Sequence, residues 1–169
     1  MNTLSQLLTD TCQRIKQEKK WTSASRIVGE AAEDCIITMP CPICNEKALI
    51  KYKANEKSKD VMCETCHSQF QMKATKAPTK KKPSLKLLGA EYKTTCQSIR
   101  ENNVHYLVLL YSIIGDTYLI RDIYFINHGD INESCIIPRK PLSSTARRAG
   151  WQGCTLVFNT YTSISCNSI

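Results

Sequence analysis

Residues 41–66 read CPICNEKALIKYKANEKSKDVMCETC, a stretch that begins and ends with a C-x-x-C motif. Eighteen residues separate the two motifs. Each motif lets two sulfur atoms converge on one ion from a tight turn, and two motifs at this spacing are typical of a tetrahedral zinc site. A thioredoxin-like redox site needs one motif rather than two, and a disulfide framework is typical of secreted chains. We therefore predict a structural Zn²⁺ that fixes a small ribbon with little core of its own and is held by Cys41, Cys44, Cys63 and Cys66.

The composition favours a single intracellular domain. The chain has 169 residues, of which 42% are hydrophobic, which is enough for one domain with a real core. It has no apolar run long enough to span a bilayer, and residues 1–20 lack the apolar segment of a signal peptide. We expect a cytoplasmic protein of a prokaryote or phage, without a membrane partner. In that reducing compartment, the six cysteines outside the two motifs are expected to be buried small hydrophobes.

The charge predicts a polyanionic partner. Lys and Arg number 23 against 15 Asp and Glu, a formal net charge of +8. Such an excess attracts polyanions, of which nucleic acid is the commonest, although it also serves general solubility. The cations form two clusters, and two basic clusters that flank a possible metal site are typical of a groove that follows a phosphate backbone. The candidate DNA-binding residues are Lys76, Lys80, Lys81, Lys82, Arg139, Lys140, Arg147 and Arg148.

Hydrophobic periodicity predicts three helices. Apolar residues at helical spacing indicate one helix from about Leu4 to Glu18 and a second that starts after Ser23 or Ser25. A third helix is predicted over residues 84–102, with a serine at its N-cap. A single further helical turn is predicted at residues 145–150.

Strands account for most of the remaining chain. They are predicted at residues 48–53, 60–62, 68–75, 105–113, 117–125 and 155–160. The apolar run at 105–113 is continuous, which indicates a buried central strand, and Gly115-Asp116 turns the chain into its neighbour. The order of the elements indicates an α/β or α+β core with a zinc-bearing insertion.

Three polar residues around the second motif form a candidate catalytic set. Asp60 lies three residues before the motif, and Gln71 and Lys73 follow on the next predicted strand. Residues two apart in a strand share a face, so Gln71 and Lys73 project together while Met72 packs the other way. The pattern predicts a metal-dependent phosphodiesterase in which Asp60 and Gln71 hold Mg²⁺ and Lys73 orients a water molecule. The spacing alone also fits solvated strand residues with no catalytic role.

A long block later in the chain carries a family resemblance. Residues 139–154 read RKPLSSTARRAGWQGC, which closely resembles a block in the Dam-replacing family of Dpn-type methyl-directed restriction endonucleases. Members of that family also carry C-P-x-C, then an Asp three residues before a second C-x-x-C, then F-E-L-K. The corresponding segments here are CPIC at 41–44, Asp60 with CETC at 63–66, and FQMK at 70–73. The resemblance extends over about residues 26–160, nearly the whole chain.

The resemblance implies a PD-(D/E)XK restriction-endonuclease-like core, an α/β fold whose mixed sheet is flanked by helices, with an inserted four-cysteine zinc ribbon. It implies one nuclease domain over residues 1–169, with the zinc-binding segment at 41–66. It also implies Mg²⁺-dependent hydrolysis of double-stranded DNA, with a preference for N6-methyladenine in a GATC context. Asp60, Gln71 and Lys73 take the catalytic positions of the family.

Two departures from the family pattern leave alternatives open. Gln71 stands where the family has Glu, so the site has one negative charge fewer and should bind Mg²⁺ less tightly. The family's C-terminal winged-helix domain, which also reads the methylated site, has no counterpart in the sequence, and a partner chain is one candidate for supplying that reading. The alternatives are a catalytically degenerate zinc-ribbon protein that binds DNA, and a nuclease of the same fold without sequence preference.

Overall fold

The computed structural model describes residues 3–52, 59–78 and 84–164. The helices of these ranges are α1 (Thr3–Lys19), α2 (Ala24–Ile36) and α3 (Tyr92–Glu101), and short 3-10 turns lie at His128–Asp130 and Glu133–Cys135. The strands are β1 (Leu49–Lys51), β2 (Val61–Cys63), β3 (Gln69–Lys76), β4 (Leu85–Glu91), β5 (Val104–Ile114), β6 (Thr117–Ile126), β7 (Ile136–Pro138), β8 (Gly153–Phe158) and β9 (Thr162–Ser163). Within the described ranges, no helix is both long enough and apolar enough to cross a membrane.

Two sheets organise the described part of the chain. The larger has the strand order β1-β2-β3-β5-β6-β9, and the smaller has the order β4-β8-β7. In the larger sheet β3 and β5 run parallel, and the other neighbouring pairs are antiparallel. The predicted mixed sheet with flanking helices is therefore confirmed.

The central strand β5 is buried on both faces, as its continuous apolar run predicted. Leu107 and Leu109 pack into a core that they share with α1 and α2. Tyr106 and Val108 point the opposite way, into a second core that contains the smaller sheet and α3. A fully buried Leu or Val side chain contributes about 1.5–3 kcal/mol, so this one strand stabilises three layers: a helical layer, the larger sheet, and the smaller sheet with α3.

Helix α1 begins and ends within a residue of its predicted bounds and also covers an edge of the larger sheet. Strand β9 pairs with β6 at Tyr124 and Phe125, so the earlier part of β6 needs other partners. The hydroxyl of Ser5 accepts a hydrogen bond from the Ile120 N–H at 3.0 Å, and that of Thr9 accepts from the Tyr118 N–H at 3.0 Å. A covered edge does not offer free backbone groups to a second chain.

The prediction of one helix over residues 84–102 is wrong in its first half. Residues 85–91 form β4, and the helix α3 begins at Tyr92. Leu85 and Leu87 alternate into the second core, while Gly89 lets β4 approach β8. A Cβ atom at Gly89 would lie 2.2 Å from the Sγ atom of Cys154, far inside van der Waals contact. The glycine that weakens a helix is therefore required by the strand.

The predicted helical turn at residues 145–150 is also wrong. This segment consists of consecutive turns in the loop that joins β7 to β8. The Ala146 N–H donates to the Ser143 carbonyl, and the Trp151 N–H donates to the Arg148 carbonyl, both at 3.0 Å. Gly150 has a φ of +75°, a left-handed conformation that ends any helical path.

Candidate metal centre and active site

The four cysteines of the two C-x-x-C motifs converge as predicted. Their Sγ atoms all lie within 4.8 Å of one another. The Sγ atoms of Cys41 and Cys66 are 3.7 Å apart, and those of Cys44 and Cys63 are 3.6 Å apart. Zn–S bonds of about 2.3 Å in a tetrahedron place the sulfur atoms about 3.8 Å apart, so the donor set fits Zn²⁺ closely.

Both motifs have the same local backbone. The Asn45 N–H donates to the Cys41 carbonyl at 2.8 Å, and the His67 N–H donates to the Cys63 carbonyl at 2.9 Å. Asn45 has a φ of +62° and His67 a φ of +57°, so each motif is followed by one left-handed residue that turns the chain. His67 therefore completes the turn, and it does not belong to the metal-binding cluster found among the described residues.

Burial and hydrogen bonding shift the pKa values of two of the four cysteines in opposite directions. Burial raises the pKa of Cys41 to about 12, so without a metal this group keeps its proton. Burial also acts on Cys66, but hydrogen bonds from Ser68 and contacts with Cys44 and Cys63 outweigh it and lower the pKa of Cys66 to about 6. A dication that replaces the thiol protons compensates the buried negative charge.

Asp60 and Gln71 meet where β2 and β3 leave the cysteine cluster. The Asp60 N–H donates to the Phe70 carbonyl at 3.0 Å, which fixes the acid beside β3. Its carboxylate accepts from the Met72 N–H at 2.7 Å and from the Gln71 side-chain amide. Only the NH₂ group of an amide can face a carboxylate in this way, so the amide oxygen of Gln71 is free to face another partner.

Lys73 shares a face of β3 with Gln71, as predicted. In the register with β5, Gln71 lies beside Tyr106 and Lys73 beside Val108, and both Gln71 and Lys73 line a cavity of about 60 Å³. Met72 points the other way, into the core with α1 and α2. Among the ion pairs within the described ranges, none joins Lys73 to Asp60.

The chain matches a known protein family over most of its length. The model of the DpnI Dam-replacing family matches residues 10–164 of the chain. The chain belongs to the Dam-replacing family. The family comprises restriction-type nucleases that act on methylated DNA. The match spans both cysteine motifs, the Asp60 and Gln71 pair, and the loop between β7 and β8.

In this member of the Dam-replacing family, the cavity has walls that the sequence did not indicate. Tyr106 lines it from β5, and Thr94, Thr95 and Ser98 line it from α3. Burial, with smaller contributions from Cys154 and Asp60, raises the pKa of Tyr106 to about 12, so its phenol stays a hydrogen-bond donor. Tyr106 lies within the apolar run of β5, so its sequence context indicated only a core residue. The volume suits an ion with one or two water molecules rather than a nucleotide.

The predicted DNA-binding residues fall in separate places. Lys76 is exposed at the end of β3, and Arg139, Lys140, Arg147 and Arg148 are exposed in the loop that joins β7 to β8. Lys80, Lys81 and Lys82 lie outside the described residues. The guanidinium of Arg148 sits 4.6 Å from the centre of the Trp151 ring, a cation–π contact that orders the basic loop.

Two histidines form a pair next to the cysteine cluster. His105 is buried between the rings of Phe70 and Phe125, with centroid distances of 5.5 and 5.4 Å. Its Nδ1 atom accepts a hydrogen bond from the backbone N–H of His128 at 3.1 Å. Burial, with a contribution from His128, lowers the pKa of His105. This pair packs the start of β5 and β3 and contacts neither Asp60 nor Gln71.

Proposed function

We propose that this chain is a metal-dependent endonuclease that hydrolyses phosphodiester bonds of double-stranded DNA on a PD-(D/E)XK core. One observation carries the proposal. Asp60 and Gln71 are in direct contact, and Lys73 lies two residues after Gln71 on the same face of β3, where both line a small cavity. An acid, an oxygen ligand and a lysine in this arrangement are the groups that phosphodiester hydrolysis needs.

The donor set fits Mg²⁺. A carboxylate and an amide oxygen are hard ligands, and Mg²⁺ is usually held by one or two protein oxygens with water in its other positions. Such an ion lowers the pKa of a bound water and offsets charge on the phosphate. The Gln71 amide donates its NH₂ to Asp60, and its oxygen is the atom that would serve as a ligand to the ion.

The remaining roles belong to the chain's own residues. Lys73 orients the attacking water and counters the charge that develops on the phosphate. Tyr106 is a neutral donor on the same cavity wall and restricts where water can sit. The Zn²⁺ that we assign to the four cysteines is structural, because four sulfur ligands leave no open position for substrate.

We propose a preference for N6-methyladenine in GATC sites, which rests on the family match. Lys76 and the four cations of the loop between β7 and β8 are the proposed contacts to the phosphate backbone. Removing one phosphate contact should weaken binding to all sequences alike and reduce its salt dependence.

Cleavage of paired plasmids, one with and one without adenine methylation, tests the proposal. With Mg²⁺ or Mn²⁺, the wild-type chain should cut the methylated plasmid, and Asp60→Ala and Lys73→Ala should not. Equal cutting of both plasmids would refute the preference for methylated DNA but not the proposed phosphodiester hydrolysis. Cutting that survives Asp60→Ala would refute the assignment of the active site.

A second candidate function is DNA binding without turnover, and the bond between Asp60 and Gln71 favours it. The Gln71 amide donates a hydrogen bond to the Asp60 carboxylate, which a second carboxylate at position 71 could not do. A chain that cuts neither plasmid, binds duplex DNA in a salt-sensitive way, and gains cutting on Gln71→Glu would establish this alternative.

A further inference from the structure

A second, larger cleft lies beyond the active site along β3. Thr75 follows Lys73 by two residues, about 7 Å along the strand, and lines a cleft of about 440 Å³. This volume lies within the range of small-molecule sites, about 300–1,000 Å³, whereas the cavity at Gln71 holds only about 60 Å³. Nothing in the proposed chemistry at Asp60 uses this cleft.

The cleft has an apolar floor and an aromatic wall. Leu85 and Leu110 are buried at its floor, 8% and 5% exposed. Tyr124 and Tyr161 form the wall, with ring centroids 4.6 Å apart and ring planes inclined by 45°. Aromatic faces of this kind bind nucleobases by stacking, whatever the base.

Three cations surround the cleft. They are Lys76, Lys86 and Arg121, and none of the three forms an ion pair with a residue in the described ranges. Arg121 is the extra residue of a β-bulge, because Leu110 pairs with Asp122 and Tyr111 with Ile120. The Nε atom of Arg121 donates a hydrogen bond to the Ser112 hydroxyl at 2.6 Å, which holds the Arg121 side chain beside β5.

Asp122 is the one acid among the described residues that line the cleft, and its carboxylate already accepts hydrogen bonds. The carboxylate of Asp122 accepts from the Ser163 hydroxyl at 2.6 Å and from the Ile123 N–H at 2.9 Å. The phenol of Tyr124 bonds to it as well, which together with burial raises the pKa of Tyr124 to about 12. The cleft therefore presents an aromatic wall and a positive charge to an incoming ligand.

We propose that this cleft binds one nucleotide, with the base against Tyr124 and Tyr161 and the phosphate against Lys76, Lys86 and Arg121. The nucleotide is either a free mononucleotide or a unit of a DNA strand that has left its duplex. Both kinds of nucleotide present an aromatic base and a negatively charged phosphate. The site does not require the proposed nuclease activity, since it contains neither Asp60 nor Gln71.

Titration of the full-length, zinc-loaded chain in buffer without Mg²⁺ or Mn²⁺ tests the proposal apart from metal-dependent cleavage. The probes are deoxyadenosine monophosphate, deoxyadenosine, inorganic phosphate and a short oligothymidylate, measured by calorimetry and by NMR shifts. The monophosphate should bind more tightly than the nucleoside or phosphate alone. Oligothymidylate that displaces it assigns the cleft to DNA strands, and oligothymidylate that does not bind assigns it to free nucleotides.

Variants locate the binding. Tyr161→Leu should weaken binding about tenfold or more, since stacking of one base contributes that much, and Tyr161→Phe should restore it. Arg121→Gln should weaken the monophosphate and leave the nucleoside unchanged. Arg14→Gln removes the same charge from an exposed position of α1 and should change neither. No binding of any probe, or equal binding by wild type, folded Tyr161→Leu and Arg121→Gln, would overturn the proposal.

Discussion

Replacing Gln71 by Glu tests the candidate active site directly, because it alters a side chain that donates a hydrogen bond to the Asp60 carboxylate. In the wild-type chain the Gln71 amide donates to the Asp60 carboxylate. Glutamate at this position removes the donor and places a second negative charge beside the first. The metal-free site then becomes repulsive, while the same two carboxylates become a stronger ligand pair for Mg²⁺.

The size of the repulsion follows from the geometry. Two unit charges about 4 Å apart interact by about 1 kcal/mol in water and about 4 kcal/mol at an effective dielectric constant of about 20. Asp60 is partly buried, so we expect a metal-free destabilisation between these limits. In a chain of this size each kcal/mol lowers Tm by about 2–4 °C. Bound Mg²⁺ should reverse the loss, because a ligand stabilises the state that binds it.

Thermal unfolding of the zinc-loaded chain in buffer without Mg²⁺ and in increasing Mg²⁺, read beside plasmid cleavage, measures both effects. Gln97→Glu is a matched control, because the Gln97 amide donates to Glu101 at 2.9 Å on an exposed face of α3. There the same replacement should cost only a few tenths of a kcal/mol, with no dependence on Mg²⁺. A Gln71→Glu chain that is as stable as wild type without Mg²⁺ and gains nothing from Mg²⁺ would refute the pairing of Asp60 with Gln71 as a metal site.

Three further predictions concern the zinc cluster, β4 and pH. Cys63→Ser, or zinc chelation, should abolish cleavage by releasing Asp60 from its place beside β3 while circular dichroism retains most helix; a folded, zinc-free chain that cuts with Mg²⁺ would contradict this. Gly89→Ala should destabilise the fold by about 1–3 kcal/mol in urea unfolding, because its methyl group meets the Sγ atom of Cys154. Gly29→Ala, where a Cβ meets nothing within 4 Å, should instead stabilise α2 by about 0.5–1 kcal/mol. Equal effects of the two variants would exclude the close approach of β4 to β8 at Gly89. Burial lowers the pKa of His105 below its unfolded value of about 6.5, so the folded state binds fewer protons than the unfolded state. The free energy of unfolding should therefore fall as pH drops from about 7 to 5.5, and His105→Gln should flatten that dependence. A wild-type free energy of unfolding that does not change over this range would contradict the prediction.

The sequence predicted the parts of the fold that local patterns determine. The spacing of the cysteines predicted their convergence, and the four Sγ atoms do lie within 4.8 Å of one another. The alternation along 68–75 predicted the common face of Gln71 and Lys73, and the continuous apolar run predicted the central position of β5. Each of these features is set by residues that are neighbours along the chain.

The missed features depend on partners that are distant along the chain. Residues 85–91 form a strand because β8 lies beside them, and the contact that requires Gly89 comes from Cys154. Tyr106 was assigned to the core because no local pattern separates a buried tyrosine from one that lines a cavity. The hydrogen bond between Gln71 and Asp60 depends on how β2 pairs with β3, and no local sequence pattern predicts that register.

The two faces of β5 also bear on how the protein can change over evolutionary time. Leu107 and Leu109 hold the helical layer, and Tyr106 and Val108 hold the layer that contains the cavity. Because both sets belong to one strand, β5 contributes to the stability of both layers. Yet their side chains do not touch across the strand, so the cavity face can exchange residues while the opposite face keeps the sheet in place. The strand β5 thus stabilises both layers, while the residues on each of its faces can change independently of those on the other.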